Sequence, residues 1–354
     1  MRGNRMFKRI ALVIWLACLA APFFATAAQT PQADLDGIKT YLLEKSTDLA
    51  EGAADLAATI DSYYGLAQAA GFDYEALASD ETASELLLTA KAQWIVISPL
   101  YEQMEGIVAG VPSLSEYDLN LDAGVSGAED PEGGVTFDLT LPDNTVLERP
   151  GNLFGLLEAA LWGTEANFVS GAVADLDGNG MVEFGEVLPD ANFLKGAADR
   201  MASMSADLLA SAEAWEPTVD DAFTALVIMM PTMSEYFGSW KASRFVSGDA
   251  ATGVHFVAIS RLSDIQDILS SLQVIYDGVS PLVESMNDEQ HEQITTRLAD
   301  LQAYVADLYV QEQDGRQFTP EEADFFGAEA QDRAMTLAGQ ISQVAGLLGI
   351  KLPE

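Results

Sequence analysis

The residues best suited to bind an ion lie in one short acidic stretch, residues 175–186, here named the acidic loop. Oxygen-bearing side chains recur there at the positions that the twelve-residue EF-hand loop uses to surround one hard cation. Gly180 occupies the sixth position, where the chain must turn sharply. The pattern predicts a Ca²⁺ site with these ligands, Met181 contributing its backbone carbonyl: Asp175, Asp177, Asn179, Met181, Glu183 and Glu186.

The surroundings of the acidic loop favour a structural calcium site over a regulatory one. Pro189 follows Glu186 closely, so the exiting helix of an EF-hand is cut short or absent. The sequence has no second loop of this type, whereas calcium sensors usually pair two. We expect weak affinity, with a dissociation constant of roughly 10⁻⁴ to 10⁻³ M. A turn that binds nothing is the alternative.

A second set of carboxylates is spread along the chain. Glu102 and Glu105 are three residues apart on a predicted helix and therefore share one face. Glu158 lies in an otherwise apolar run, where a carboxylate needs a cation or a basic side chain as a partner. A solvated edge or an ordinary salt bridge would also explain these residues.

Nucleophilic and zinc chemistry have little support in the sequence. Its two histidines, His255 and His291, are isolated, and are interpreted as a packed residue and a solvated helix residue. No Gly-x-Ser-x-Gly, His-Glu-x-x-His or phosphate-binding glycine motif occurs. We therefore expect no catalytic residues and no enzyme activity.

The N-terminal residues resemble an export signal. A basic head precedes an apolar run, and Ala25-Thr26-Ala27 supplies small residues for cleavage, so residues 1–28 are predicted to be a signal peptide. Lipidation at Cys18 is the competing interpretation. We expect an exported protein, periplasmic or at the cell surface, with no membrane span after cleavage. The net charge of -38 excludes nucleic acid as a partner and is also typical of adaptation to high salt.

Apolar residues at three-, four- and seven-residue intervals predict long amphipathic helices. The first runs from about Leu35 to Tyr63, and the second begins near Glu81 and is predicted to restart at Ser98-Pro99. Residues 122–134 are rich in Gly and Asp and predict a flexible loop. Alternation from Val135 to Leu141 predicts a strand of a small hairpin.

These elements predict an all-α fold of up-and-down helical bundles in two packed halves, with a small β-hairpin and an EF-hand-like loop inserted. The predicted divisions are a signal peptide (1–28), an N-terminal helical half with the hairpin (29–165), the calcium-loop region (166–190) and a C-terminal helical half (191–354).

Three stretches resemble the imelysin-like family, a helical domain shared by imelysins and the periplasmic component of certain bacterial iron-uptake systems. Pro99-Leu-Tyr-Glu-Gln-Met-Glu105 is similar to a family Tyr-Glu-x-x-Glu segment. The stretch 153–163 is similar to the segment that holds the family's His-x-x-Glu motif, and Arg261 to Leu269 is similar to a helix of the second half.

The resemblance implies a periplasmic or outer-surface protein connected to iron or another divalent metal, with a cell-envelope protein as a further partner. By position, it implies a second metal site formed by Glu102, Glu105, Glu158 and Asp264. Gly155 stands where the family has its histidine, which leaves carboxylates better suited to hard ions. An exported metallopeptidase and a non-catalytic, calcium-stapled interaction scaffold are the alternative functions.

Overall fold

The first long helix, α1 (Leu35–Ala69), shows how the sequence pattern forms the core. Asp34 caps it by accepting a hydrogen bond from the backbone N–H of Gly37 at 2.9 Å. A buried stripe then follows the helix, formed by Ile38, Leu42, Leu49, Leu56 and Ile60. The structure, a computed structural model, describes residues 32–352. The predicted signal peptide (1–28) and Cys18 lie outside the described residues.

The other helices follow in chain order: α2 (Tyr74–Leu77), α3 (Glu81–Val108), α4 (Ser115–Asp118), α5 (Leu153–Trp162), α6 (Ala191–Ala214), α7 (Val219–Met229), α8 (Met233–Ala242), α9 (Arg244–Ser247), α10 (Arg261–Met286), α11 (Asp288–Gln313) and α12 (Pro320–Leu348). Thr319 and Glu322 close a capping box at the start of α12. The predicted all-α fold with a small hairpin is confirmed.

Helix α3 continues through Pro99, so the predicted restart at Ser98-Pro99 was wrong. Proline has no N–H to donate to the carbonyl four residues earlier, which belongs to Ile95. Ile95 and Val96 lie on the solvent side, 42% and 65% exposed, where water can solvate that carbonyl. The helix therefore tolerates the proline and carries Glu102 and Glu105 beyond it.

Two short strand pairs interrupt the helices. The predicted hairpin forms between β1 (Leu139–Thr140) and β2 (Val146–Leu147), but residues 135–138 are not part of the strand. Instead, the N–H groups of Val135 and Thr136 donate to the Val125 carbonyl and the Asn120 side chain. A second antiparallel pair, β3 (Val169–Val173) and β4 (Val187–Pro189), flanks the acidic loop and was not predicted.

Helices α3 and α10 pack against each other and thereby connect two groups of helices. Helix α1 packs against α3 and α6, while α10 contacts both α3 and α11, and α12 packs against α8, α11 and α7. The described residues belong to one compact unit. Within residues 32–352, no helix has the length and apolar character needed to cross a membrane.

Candidate metal centre

The face that α3 turns toward α10 carries Glu102 and Glu105, only 1% and 3% exposed. Asp122 reaches the same point from a π-helical segment (Leu119–Ala123) that follows α4. Each of the three side chains offers one oxygen, and these oxygens lie within 4.8 Å of one another. Glu102, Glu105 and Asp122 are named here the carboxylate triad.

Sequence reasoning missed Asp122, because the glycine-rich stretch that begins there was interpreted as a flexible loop. The residue is 4% exposed and belongs to a regular π-helical turn. A usable signal was the apolar Leu121 beside it, which is fully buried and anchors the segment in the core. A short π-helical turn of this kind is common at functional sites.

One cation, Arg261 at the start of α10, faces several carboxylates. Its guanidinium lies 3.5 Å from Glu102, 3.6 Å from Asp122 and 3.0 Å from Asp264. The arginine is 4% exposed, and its guanidinium carbon lies 3.6 Å from the ring centroid of Phe256. A single positive charge cannot balance this many buried carboxylates if all of them are ionised.

Because these carboxyl groups are buried close together, their pKa values are raised, and they keep their protons at higher pH than ordinary carboxyl groups. Burial raises the pKa of Glu102 well above its ordinary value, and the neighbouring Asp264 and Asp122 carboxylates raise it further. Burial and Asp122 raise the pKa of Glu105 to about 7. Burial also raises the pKa of Asp264 to about 6, although Arg261 opposes the shift. Bound protons or a bound cation can therefore neutralise the site.

Several buried polar atoms of the triad lack a hydrogen-bond partner within residues 32–352. They are one oxygen of each member: Glu102 Oε2, Glu105 Oε2 and Asp122 Oδ1. An unsatisfied buried polar group costs about 1–3 kcal/mol, and more when it is charged. Each triad carboxylate thus keeps one unmatched oxygen, and carboxylate oxygens are a donor set that fits a divalent cation.

Two tyrosines complete the walls of the site. The hydroxyl of Tyr101 donates to Asp118 Oδ1 at 2.7 Å, and the hydroxyl of Tyr236 on α8 donates to Glu105 Oε1. Burial raises the pKa of the Asp118 carboxyl, and the Glu105 carboxylate adds to the shift. The Tyr236 bond occupies one oxygen of Glu105, and the other, Oε2, has no hydrogen-bond partner among the described residues.

The four residues that the sequence assigned to a second metal site take different positions. Glu102 and Glu105 belong to the triad, and Asp264 forms an ion pair with Arg261. Glu158 accepts three backbone N–H groups, from Phe256 at 2.6 Å, Val257 at 3.1 Å and Ala258 at 2.8 Å. The Glu158 carboxylate thus holds the segment that precedes α10.

The acidic loop brings three of its predicted ligands together, one exposed, one half-buried and one buried. Carboxylate oxygens of Asp175, Asp177 and Glu186 lie within 4.8 Å of one another. Asn179 donates through its side chain to Asp177 and Glu183, at 3.1 and 3.3 Å. Gly180 adopts φ +90°, which allows the turn required at that position.

Hydrogen bonds within the acidic loop already occupy many of its carboxylate oxygens. The backbone N–H groups of Asn179 and Gly180 donate to Asp175, and those of Leu176 and Glu183 donate to Glu186. Lys91 of α3 donates to the Gly185 carbonyl and attaches the loop to the bundle. Burial lowers the pKa of Lys91 to about 8, although Glu186 opposes the shift. Met181, the predicted carbonyl ligand, is 60% exposed.

A surface cleft of about 660 Å³ beside the hairpin lies apart from both acidic regions. Arg149 is the basic residue among those of residues 32–352 that line it, and its guanidinium donates to the carbonyls of Val135, Pro131 and Gly134. These hydrogen bonds show that the arginine stabilises the loop that precedes the hairpin. Among the described residues that line the cleft, no basic group is therefore free for an anionic ligand.

The predicted solvated histidine, His291, is half-buried instead. Its Nδ1 lies 3.0 Å from the hydroxyl of Tyr276, and the two rings stack with centroids 6.0 Å apart. The charged run around His291 concealed the apolar face that α11 presents to α10.

Comparison with protein families gives one match that covers most of the chain. The family model described as Imelysin matches residues 37–344, which include the triad, Arg261 and the acidic loop. A comparison with curated proteins found no match.

Proposed function

The chain belongs to the imelysin family, and from that premise we propose that it binds iron or another divalent metal cation at the carboxylate triad. The observation that carries the proposal is the set of three buried oxygens without partners on Glu102, Glu105 and Asp122. Arg261 offsets part of their charge and leaves an anionic site. A cation would satisfy all three oxygens at once.

The triad lies where α3 packs against α10, between the two groups of helices, and such an interface is a common place for a binding site. Glu102 and Glu105 come from α3, Asp122 from the π-helical segment and Arg261 from α10. The separation of these elements along the chain makes the site depend on how they pack. Binding a cation there should therefore stabilise the packing of α3 against α10.

We propose binding rather than peptide hydrolysis. In the metallopeptidase alternative, a metal held by Glu102, Glu105 and Glu158 would activate water, but the Glu158 carboxylate already accepts three backbone N–H groups. A carboxylate held in this way acts as a structural acceptor. The alternative would be supported instead if the purified protein cleaved a protein substrate and Glu158→Gln abolished that cleavage.

We further propose that the acidic loop binds Ca²⁺ as a structural ion. Convergence of the Asp175, Asp177 and Glu186 carboxylates supports this assignment. The strands β3 and β4 flank the loop, and Lys91 donates a hydrogen bond to the Gly185 carbonyl. These contacts favour a rigid structural site over a regulatory EF-hand, in which a pair of helices changes its angle when Ca²⁺ binds. Export to the periplasm or cell surface, with metal acquisition as the role, belongs to the same proposal.

The test separates the two sites by removing one of them. Asp175→Ala with Glu186→Ala disables the acidic loop, and the chelator-treated variant is titrated calorimetrically with Fe²⁺ without oxygen, and with Cu²⁺ and Ca²⁺. We expect one Fe²⁺ or Cu²⁺ ion per chain in this variant. If the variant binds neither ion while the original chain binds only Ca²⁺, the chain is a calcium-stapled scaffold and the proposal fails.

A further inference from the structure

The two oxygens of each triad carboxylate have different surroundings. Glu102 Oε1 lies 3.5 Å from one terminal guanidinium nitrogen of Arg261, and Asp122 Oδ2 lies 3.6 Å from the other. Glu105 Oε1 accepts the hydroxyl hydrogen of Tyr236. The second oxygen of each carboxylate, Oε2 of the glutamates and Oδ1 of the aspartate, has no hydrogen-bond partner within residues 32–352. Each side chain is thus held through one oxygen only.

Arg261 is itself fixed by contacts outside the triad. It donates to Asp264 Oδ2 at 3.0 Å, and the ring centroid of Phe256 lies 3.6 Å from its guanidinium carbon. Glu158 accepts the backbone N–H groups of residues 256–258 and so fixes the segment that carries Phe256. Because these contacts define where the guanidinium lies, they also define where the two triad oxygens that face it lie.

Tyr236 on α8 packs against the same guanidinium. The centroid of its ring lies 4.9 Å from the guanidinium carbon of Arg261, and the tyrosine is only 7% exposed. Its hydroxyl therefore reaches Glu105 from a fixed ring. Helix α8 packs against α10, so the arginine and the tyrosine keep their relative positions. Together, the two residues contact one oxygen of every triad carboxylate.

We propose that Arg261 and Tyr236 are positioning residues of the metal site: they hold one oxygen of each triad carboxylate, so that each carboxylate gives a bound cation only its other oxygen. This inference rests on the proposed function. Ca²⁺ takes about six to eight oxygens and often binds both oxygens of a carboxylate, whereas Mg²⁺ takes about six, several of them from water. Three single oxygens therefore favour a small six-coordinate cation such as Fe²⁺ or Mn²⁺ over Ca²⁺.

Tyr236→Phe tests the proposal because it frees Glu105 Oε1 and keeps the aromatic ring. The acidic loop is disabled by Asp175→Ala and Glu186→Ala, and the chelator-treated protein is titrated calorimetrically with Mn²⁺ and with Ca²⁺. In the Tyr236→Phe variant, Glu105 can bind a cation through both oxygens. We expect the affinity for Ca²⁺ relative to Mn²⁺ to rise about tenfold or more.

Tyr101→Phe is the matched control for this substitution. It also removes a buried hydroxyl that donates to a carboxylate beside the triad, but its partner is Asp118 and not a triad oxygen. The Ca²⁺ to Mn²⁺ affinity ratio should stay as it is in the starting protein. An unchanged ratio in Tyr236→Phe, or an equal change in both tyrosine variants, would overturn the positioning role of Tyr236.

Arg261→Lys tests the arginine in the same titrations. Lysine keeps the positive charge, but its single ammonium group cannot present two separate nitrogens to Glu102 and Asp122. We expect the Mn²⁺ affinity to fall about tenfold or more and the preference over Ca²⁺ to narrow. Unchanged affinities for both ions would show that Arg261 does not position the triad. Should this variant not fold, Tyr236→Phe decides the proposal.

Failure of this inference is distinguishable from failure of the proposed function. If the starting protein binds Mn²⁺ and the tyrosine and arginine variants keep its preference over Ca²⁺, the triad binds metal without these positioning residues. If the starting protein binds no divalent cation, both proposals fail.

Discussion

The two acidic regions of the protein collect carboxylates in opposite ways. The acidic loop places Asp175, Asp177 and Glu186 within twelve consecutive residues, with only Glu186 buried, and backbone N–H groups of the loop already donate to all three. The carboxylate triad assembles residues from separate elements in the interior and leaves an oxygen of each unmatched. Local spacing thus defines the first site, and packing defines the second.

This difference in burial determines how strongly each region should bind a cation. Burial makes the triad costly without a counter-charge, so protons or a metal must neutralise it. In the acidic loop, Asp175 is half-buried and Asp177 is exposed, so water solvates these charges whether or not an ion binds, and only Glu186 of the three converging carboxylates is buried. We therefore expect strong, proton-coupled binding at the triad and weak binding at the acidic loop.

The largest expected effect comes from removing one triad oxygen. Asp122→Asn keeps the shape of the side chain but replaces a carboxylate by an amide, and we expect metal affinity to fall about 100-fold or more. Calorimetric titration of the protein with a disabled acidic loop measures the change. Glu51→Gln, which removes an exposed carboxylate of α1, is the matched control and should bind as before. Equal affinities in the two variants would contradict a ligand role for Asp122.

Metal affinity at the triad should rise with pH. Protons on Glu105, with a pKa of about 7, and on Glu102, whose pKa burial raises well above its ordinary value, must leave when a cation binds. Between pH 5 and 7 we expect roughly a tenfold gain per pH unit for each displaced proton. Titrations at a series of pH values measure this slope, and Glu105→Gln should reduce it. A metal affinity that does not change with pH would show that metal binding does not displace protons from these carboxyl groups.

The metal-free protein should show the opposite pH dependence in its stability. The folded pKa of Glu105, about 7, lies above its ordinary value of 4.5, so the folded state binds the proton more tightly than the unfolded state. Its contribution is fully present below about pH 4.5 and is lost as pH rises through 7. We expect a loss on the order of 1–3 kcal/mol, measured by urea unfolding with chelator present.

Glu105→Gln provides the comparison for that stability profile. The amide does not titrate, so the variant should lose less stability over the same pH interval. Addition of metal to the unmodified protein should restore the stability lost near pH 7. Parallel profiles for the two metal-free proteins would show that Glu105 does not titrate as its burial implies.

The acidic loop should give the smallest effect. With a dissociation constant of roughly 10⁻⁴ to 10⁻³ M, about 10 mM Ca²⁺ stabilises the protein by about 1–3 kcal/mol, or a few degrees in melting temperature. Asp175→Ala with Glu186→Ala should remove this rise. Glu51→Ala with Asp55→Ala deletes two exposed charges of α1 and should keep it. An unchanged melting shift in the loop variant would reject the calcium assignment.

Features of the fold that depend on neighbouring residues were predictable from the sequence. The α1 stripe, the Asn152 cap and Gly163 end of α5, and the Thr319 capping box are local patterns, and all three are present. The continuation of α3 through Pro99 was not predictable, because it depends on which side of the helix faces solvent. Strands β3 and β4 were too short to produce a periodic signal.

The triad was only partly predictable for a related reason. Glu102 and Glu105 share a helix face by spacing alone, but Asp122 joins them only when the π-helical segment packs against α3. Glu158 looked like a ligand because it is a carboxylate in an apolar run. Its actual partners are N–H groups about a hundred residues away, which no local pattern reveals.

Anomalous diffraction from crystals soaked in Mn²⁺ would test most directly whether the triad holds a metal cation. We expect a peak bounded by Glu102, Glu105 and Asp122 that persists when the acidic loop is disabled and disappears in Asp122→Asn. Anomalous density confined to the acidic loop, with none between α3 and α10, would contradict it.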